Sequence, residues 1–172
     1  IEYRILPNSG LRVSAIAIGS GSIHEASEKQ VVEIIDYAQE QGVNLIDMAT
    51  SYPEPWDHYG IALRGRRHQF PRPMPMGITY ESGAYARDYG LESIKRSFES
   101  QLRKTGSDYA DIAVFHCVDT LEDFNRLMDG GAFEYAAGLK RAGVIHNLGF
   151  ASHTVDIARR FIETGEINTF MF

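Results

Sequence analysis

Four polar residues stand where apolar, strand-like runs of the sequence end. They are Ser20, Asp47, His116 and Ser152. Burial of a polar side chain in an apolar core costs free energy, whereas a polar side chain at the edge of a sheet can stay in contact with water. This placement therefore predicts that all four lie along one edge of a sheet. A carboxylate and an imidazole at such an edge are suited to moving protons. Tyr52, five residues after Asp47, adds a phenol to the set.

The elements that must position these residues alternate between strand and helix patterns. Two short strands around the turn at residues 7–10 predict an N-terminal β-hairpin. Strand patterns then recur, separated by stretches of helical spacing, and Ser27 with Gln30 is a capping box that opens one helix. Such alternation with short connections indicates a parallel sheet.

The third strand of this series is interrupted by prolines. Pro71, Pro73 and Pro75 alternate in one stretch, and the predicted strand runs from Met74 to Thr79. Each proline removes a backbone donor, so proline is largely excluded from central strands. The sequence therefore predicts a strand here with impaired pairing.

Two parallel architectures fit the pattern. An open dinucleotide-binding sheet needs G-x-G-x-x-G after its first strand, but Gly19 and Gly21 are followed by His24 at the third position. Polar residues at several strand ends instead favour a barrel. The predicted fold is α/β, a (β/α)8 TIM-type barrel that is incomplete here, with about six parallel strands and the hairpin. Residues 1–172 are expected to form one partial barrel domain, with the remaining strands absent from this chain.

Composition excludes several classes of function. The chain has 172 residues, a net charge of −6 and interleaved charges, which argues against a nucleic-acid surface. No apolar run is long enough to span a bilayer. Cys117 is the only cysteine, and the histidines lack ligand spacing, so no metal site is predicted. These features fit a cytoplasmic protein, and they leave the oligomeric state open.

Several segments together resemble the aldo-keto reductase family. Asp47 followed five residues later by Tyr52 resembles the segment after the family's second strand, and Gly60 to Gly65 resembles the start of the next helix. Residues 108–116 resemble the fourth strand, which ends in the family's catalytic histidine. Residues 144–153 resemble the fifth strand, in the form typical of members with a C-terminal iron–sulfur domain.

This resemblance implies hydride transfer between NADP(H) and a small-molecule carbonyl or alcohol substrate. It implies Tyr52 as the proton donor, Asp47 as the carboxylate that tunes it, and His116 as the group that orients the carbonyl oxygen. It also implies that Ser20, Ser22, Asp47 and Ser152 bind the cofactor.

One departure from the family pattern leaves the activity open. The family's catalytic lysine belongs at the end of the third strand, and this sequence has none there. The four lysines are all predicted on helices or in their last turns: Lys29, Lys95, Lys104 and Lys140. The alternatives are therefore a reductase impaired by this loss, with His58 or Arg87 as possible substitutes, and a catalytically silent barrel that binds a cofactor or partner.

Overall fold

The computed structural model describes residues 1–49 and 51–172 as alternating strands and helices. The strands are β1 (Tyr3–Ile5), β2 (Arg12–Ser14), β3 (Ala17–Gly19), β4 (Leu45–Asp47), β5 (Pro73–Met76), β6 (Ile78–Thr79), β7 (Ala86–Arg87), β8 (Ile112–Phe115), β9 (Leu148–Ala151) and β10 (Thr169–Met171). The helices are α1 (Glu28–Glu40), α2 (Glu54–Ala62), α3 (Leu91–Lys104), α4 (Leu121–Asp129), α5 (Ala132–Arg141) and α6 (Val155–Glu163).

Six strands pair in parallel, as the sequence predicted. Strands β10, β9, β8 and β5 form one sheet in that order, and β3 pairs with β4. Strands β1 and β2 form the predicted antiparallel hairpin. A second antiparallel hairpin, β6 with β7, follows β5 and was not predicted.

The prolines of β5 explain why the described strands form two parallel groups. The Pro71 carbonyl accepts a hydrogen bond from Ile46 of β4 at 3.3 Å, whereas the Met76 carbonyl accepts from His116 beyond β8 at 2.9 Å. Because alternate residues of a strand point their backbone groups to opposite edges, Pro73 and Pro75 also face β4. They have no N–H to donate, so a ladder between β4 and β5 cannot form fully.

The predicted third strand is also shorter than expected at its far end. Gly77, with a φ of 94°, separates β5 from β6. Its positive φ, which glycine tolerates better than other residues, breaks the predicted strand from Met74 to Thr79. The chain then turns into the β6–β7 hairpin rather than directly into a helix.

Helices cover the sheet through apolar faces. The capping box at Ser27 and Gln30 is present at the start of α1. Phe161 of α6 is fully buried and stacks on Phe150 of β9 with ring centroids 4.7 Å apart. A second core cluster joins α1, α2 and β4 around Ile46. Burial of apolar surface therefore attaches these helices to the strands.

The interior between the strands is a cavity of about 190 Å³. Leu6, from the turn of the β1–β2 hairpin, lines it together with Leu45, Ile112 and Thr169 at the amino ends of β4, β8 and β10. The hairpin therefore covers the amino end of the sheet, which leaves the carboxyl end as the accessible rim. Among the helices of the described residues, none is long and apolar enough to cross a membrane.

Candidate active site

A small cavity of about 100 Å³ lies at the carboxyl ends of the parallel strands. Asp47, His116 and Ser152 line it together, although they follow or end three different strands. Its walls also include Cys117 and the apolar Met171. Three of the residues singled out in the sequence therefore share one cavity at one end of the sheet.

Asp47 ends β4, is half-buried and lies near the phenol of Tyr59. Burial raises the pKa of the Asp47 carboxyl above its usual value. Tyr59 of α2 is fully buried, and both burial and the charge of Asp47 raise the pKa of its hydroxyl well above the ordinary value. The Tyr59 hydroxyl has no hydrogen-bond partner among the described residues.

His116 follows β8 and is held from both sides. Its backbone N–H bonds to Met76 of β5, and Tyr89 donates to its carbonyl oxygen at 2.9 Å. Burial, followed by the positive charge of Arg87, lowers the pKa of the His116 imidazole. The imidazole is therefore neutral at pH 7 and carries one N–H that can act as a donor.

Tyr52 does not line this cavity. Its ring stacks on His24 with centroids 4.0 Å apart and an interplanar angle of 21°, and 47% of the residue is exposed. Thr50, between Asp47 and Tyr52, lies outside the described residues. The structure thus brings Asp47 and His116 to one cavity and holds Tyr52 against the loop that follows β3.

The predicted cofactor-binding serines have different environments. Ser20 is buried, and its Oγ accepts a hydrogen bond from the backbone of Ala49 at 2.8 Å, which fixes the turn after β4. Ser22 is exposed and its side chain caps no backbone group of the following turn. Ser152 lines the cavity, and its hydroxyl accepts a hydrogen bond from the backbone N–H of Thr154 at 3.1 Å and lies 3.4 Å from both Asp119 and the Thr154 carbonyl oxygen.

Comparison with known proteins identifies the family. A profile of the Aldo/keto reductase family matches residues 15–171. This chain belongs to the aldo/keto reductase family. Its parallel strands are therefore those of an aldo/keto reductase barrel.

Relatives in the family are longer than this chain. It is 27% identical to D-arabinose 1-dehydrogenase of Saccharomyces cerevisiae over 167 residues, which cover 91% of this chain and 48% of that protein. It is 30% identical to L-galactose dehydrogenase of Arabidopsis thaliana over 125 residues, covering 69% of this chain and 38% of that protein. The chain thus spans about half or less of the length of these curated relatives.

Solved structures of the family share the fold. The aldo-keto reductase AKR11C1 from Bacillus halodurans, in its holo form, superposes with a TM-score of 0.81 at 24% identity, covering 99% of this chain and 56% of that one. The glycerol dehydrogenase AKR11B4 from Gluconobacter oxydans gives a TM-score of 0.77 at 22% identity, covering 98% of this chain and 53% of that one. At this identity the likeness shows the barrel fold alone. The iron–sulfur subgroup suggested by residues 144–153 stays a prediction.

In this family member, the lysines lie away from the cavity. As predicted, all four stand on helices: Lys29, Lys95, Lys104 and Lys140. Each pairs with a carboxylate, at Glu33, Glu92, Asp57 and Glu166 respectively. Among the described residues, no lysine lines the cavity that holds Asp47 and His116.

Sequence reasoning missed an acidic residue at the rim. The Asp119 carboxylate accepts hydrogen bonds from the backbone N–H of His153 at 2.8 Å, from its Nδ1 at 3.1 Å and from Ser152. Burial alone would raise the pKa of Asp119, but its interactions with His153 and its hydrogen bond with Arg87 together lower the pKa. The only sequence signal was its position three residues after His116, at the start of the next loop.

Proposed function

We propose that this chain carries the catalytic rim of an NADP(H)-dependent oxidoreductase that interconverts a small carbonyl compound and its alcohol. The observation that carries the proposal is that Asp47 and His116 line one cavity at the carboxyl ends of parallel strands in a member of the aldo/keto reductase family. Active sites of (β/α)8 barrels lie at this end of the strands.

The residues of the rim suit a nicotinamide. The Ser152 hydroxyl donates only over 3.4 Å, to Asp119 or the Thr154 carbonyl, so its hydrogen could turn to a carboxamide oxygen while its own oxygen keeps the bond from the Thr154 N–H. Ser20 would act through the turn that it fixes after Asp47, and exposed Ser22 would meet the cofactor from the same loop. When bound, the nicotinamide ring would exchange a hydride with the carbonyl carbon of the substrate.

The protein side chains would handle the oxygen and its proton. Neutral His116 can donate its remaining N–H to the carbonyl oxygen, which becomes more negative as the reaction proceeds. Tyr52 would then supply the proton from its phenol hydroxyl after its ring leaves His24. The Asp47 carboxylate would orient the cofactor and the proton donor from the end of β4.

A matched pair of variants of the full-length protein tests this assignment. We expect Tyr52→Phe to lower kcat for carbonyl reduction by about 10²–10⁴-fold, the usual contribution of a general acid. Tyr59→Phe removes a hydroxyl of the same kind that lies outside the cavity, so we expect kcat within about twofold of the unmodified protein. NADPH binding, followed by cofactor fluorescence, should be retained by both variants.

Two results would overturn the proposal. Loss of kcat in Tyr59→Phe with normal kcat in Tyr52→Phe would assign the proton donor to the buried phenol. Absence of NADPH binding at high micromolar cofactor would contradict the proposed oxidoreductase function as a whole.

Among the described residues no lysine lines the cavity, which favours a second candidate, a silent barrel that binds the cofactor without catalysis. In that case NADPH would bind with normal affinity, and residual carbonyl reduction would be the same in the unmodified protein and in Tyr52→Phe. The two candidates therefore give opposite results in one assay.

A further inference from the structure

The β6–β7 hairpin brings two more functional side chains to the rim. Tyr85 lies with its ring edge-on to His116, at a centroid distance of 6.4 Å and an angle of 84°. Arg87, two residues later, donates from Nη1 to the carbonyl oxygen of Cys117 at 2.7 Å. Since Cys117 lines the cavity, the guanidinium of Arg87 is anchored directly to its wall.

The contact between Arg87 and Asp119 leaves most of the guanidinium unused. Nη1 of Arg87 lies 3.3 Å from Oδ2 of Asp119, while the carboxylate takes its shorter bonds from His153. Nε and Nη2 of Arg87 have no acceptor among the described residues, and 42% of the side chain is exposed. The Nε–Nη2 edge is one of the two forks with which a guanidinium binds a carboxylate bidentately.

We propose that Arg87 binds a carboxylate on the carbonyl substrate, so that the preferred substrates are anionic aldehydes, ketones or their alcohols. This inference rests on the proposed function for the reaction itself. Arg87 is anchored one residue from His116, so a single small molecule can place its carbonyl oxygen at the imidazole and its carboxylate at the fork. Tyr85, beside His116 and exposed, can form a wall for the carbon skeleton that joins the two groups.

Asp119 neutralises only part of the positive charge of Arg87. Asp119 is shared among Arg87, Ser152 and His153, and its contact with Arg87 is the longer of the two that hold Nη1. Nδ1 of exposed His153 lies 3.1 Å from Oδ1 of the same carboxylate. A neutral substrate would leave this fork without an acceptor.

Matched aldehydes and two arginine variants of the full-length protein test the proposal. The aldehydes are para-carboxybenzaldehyde and its methyl ester, in which a methyl group replaces the negative charge. We expect Arg87→Met to raise KM for the acid by about ten- to a hundredfold, the loss for a charge-assisted hydrogen-bond pair, and to change KM for the ester by about twofold or less. Arg159→Met, which removes an exposed arginine paired with Glu163 on α6, is the control and should change neither.

Benzoate separates this inference from the proposed function. We expect benzoate to bind the unmodified protein more tightly than Arg87→Met by calorimetry, whether or not reduction is observed, and to compete with the aldehyde and not with NADPH. Arg87-dependent benzoate binding without any turnover would support the carboxylate site and contradict the proposed function. Equal losses for acid and ester, competition with NADPH, or equal benzoate binding by both proteins would overturn the inference.

Discussion

The Sγ atom of Cys117 lies 3.3 Å from Nε2 of His116, inside the cavity that both residues line. Cys117 also has a positive φ of 51°, which is uncommon for a residue other than glycine. The backbone turn after β8 therefore folds the thiol back onto the imidazole of the preceding residue. A group attached to this sulfur would occupy the space next to His116.

Alkylation of Cys117 tests this relationship. Burial raises the pKa of the Cys117 thiol, and only the thiolate reacts, so iodoacetamide should modify it more slowly than free cysteine at the same pH. The adduct would fill a cavity of about 100 Å³, so we expect carbonyl reduction to stop as modification, followed by peptide mass spectrometry, becomes complete. Cys117→Ala should resist this inactivation. Full activity of the completely modified protein would show that the cavity is not used.

The stability of the protein should depend on the protonation of His116. Its pKa is lowered from 6.5, first by burial and then by Arg87, so the unfolded chain takes up this proton at a higher pH than the folded one. The free energy of unfolding should therefore fall as the pH falls below 6.5, until the lowered pKa of the folded state is passed. Urea denaturation between about pH 8 and about pH 5 measures this loss, with His116→Asn as the comparison. Identical pH dependence in both proteins would contradict the prediction.

The packing of α2 on α3 should depend on Gly60. A Cβ atom at Gly60 would collide with the backbone carbonyl of Lys104, which cannot move away as a side chain could. We expect Gly60→Ala to lower the free energy of unfolding by about 1–3 kcal/mol, the usual cost of overpacking. Gly138→Ala on α5 is the matched control: its Cβ would meet only Arg141 at 3.8 Å, and it should raise helix stability by about 0.5–1 kcal/mol. Urea denaturation of both variants measures these changes, and equal changes in the free energy of unfolding would contradict the prediction.

The order of strands and helices could be predicted because its signals are local. The capping box at Ser27 depends on residues three positions apart, and the turn at residues 7–10 on its own glycine and proline. The impaired third strand was also predicted, because proline lacks a donor in any fold. The same reasoning placed Asp47, His116 and Ser152 at strand ends, where a parallel sheet brings them to one rim.

Element boundaries were less predictable. Helix α2 begins at Glu54, before Gly60, where the resemblance placed the start of a helix, and β8 and β9 are shorter than residues 108–116 and 144–153, which resemble the fourth and fifth strands of the family. Apolar residues continue past the hydrogen-bonded part of a strand because neighbouring loops are buried too. The apolar pattern of a sequence indicates burial, whereas a strand ends where its backbone hydrogen bonds to the neighbouring strand end.

By itself the sequence determined the parallel fold, the family and the end of the sheet that carries the polar residues. The tertiary structure alone decided that Tyr52 stacks on His24, that Cys117 contacts His116, and that Arg87 reaches the wall of the cavity from a hairpin. Such contacts depend on side-chain rotamers and on packing between residues that are distant in sequence. No periodicity or motif encodes them, since each is selected by the space and the partners that the assembled rim offers.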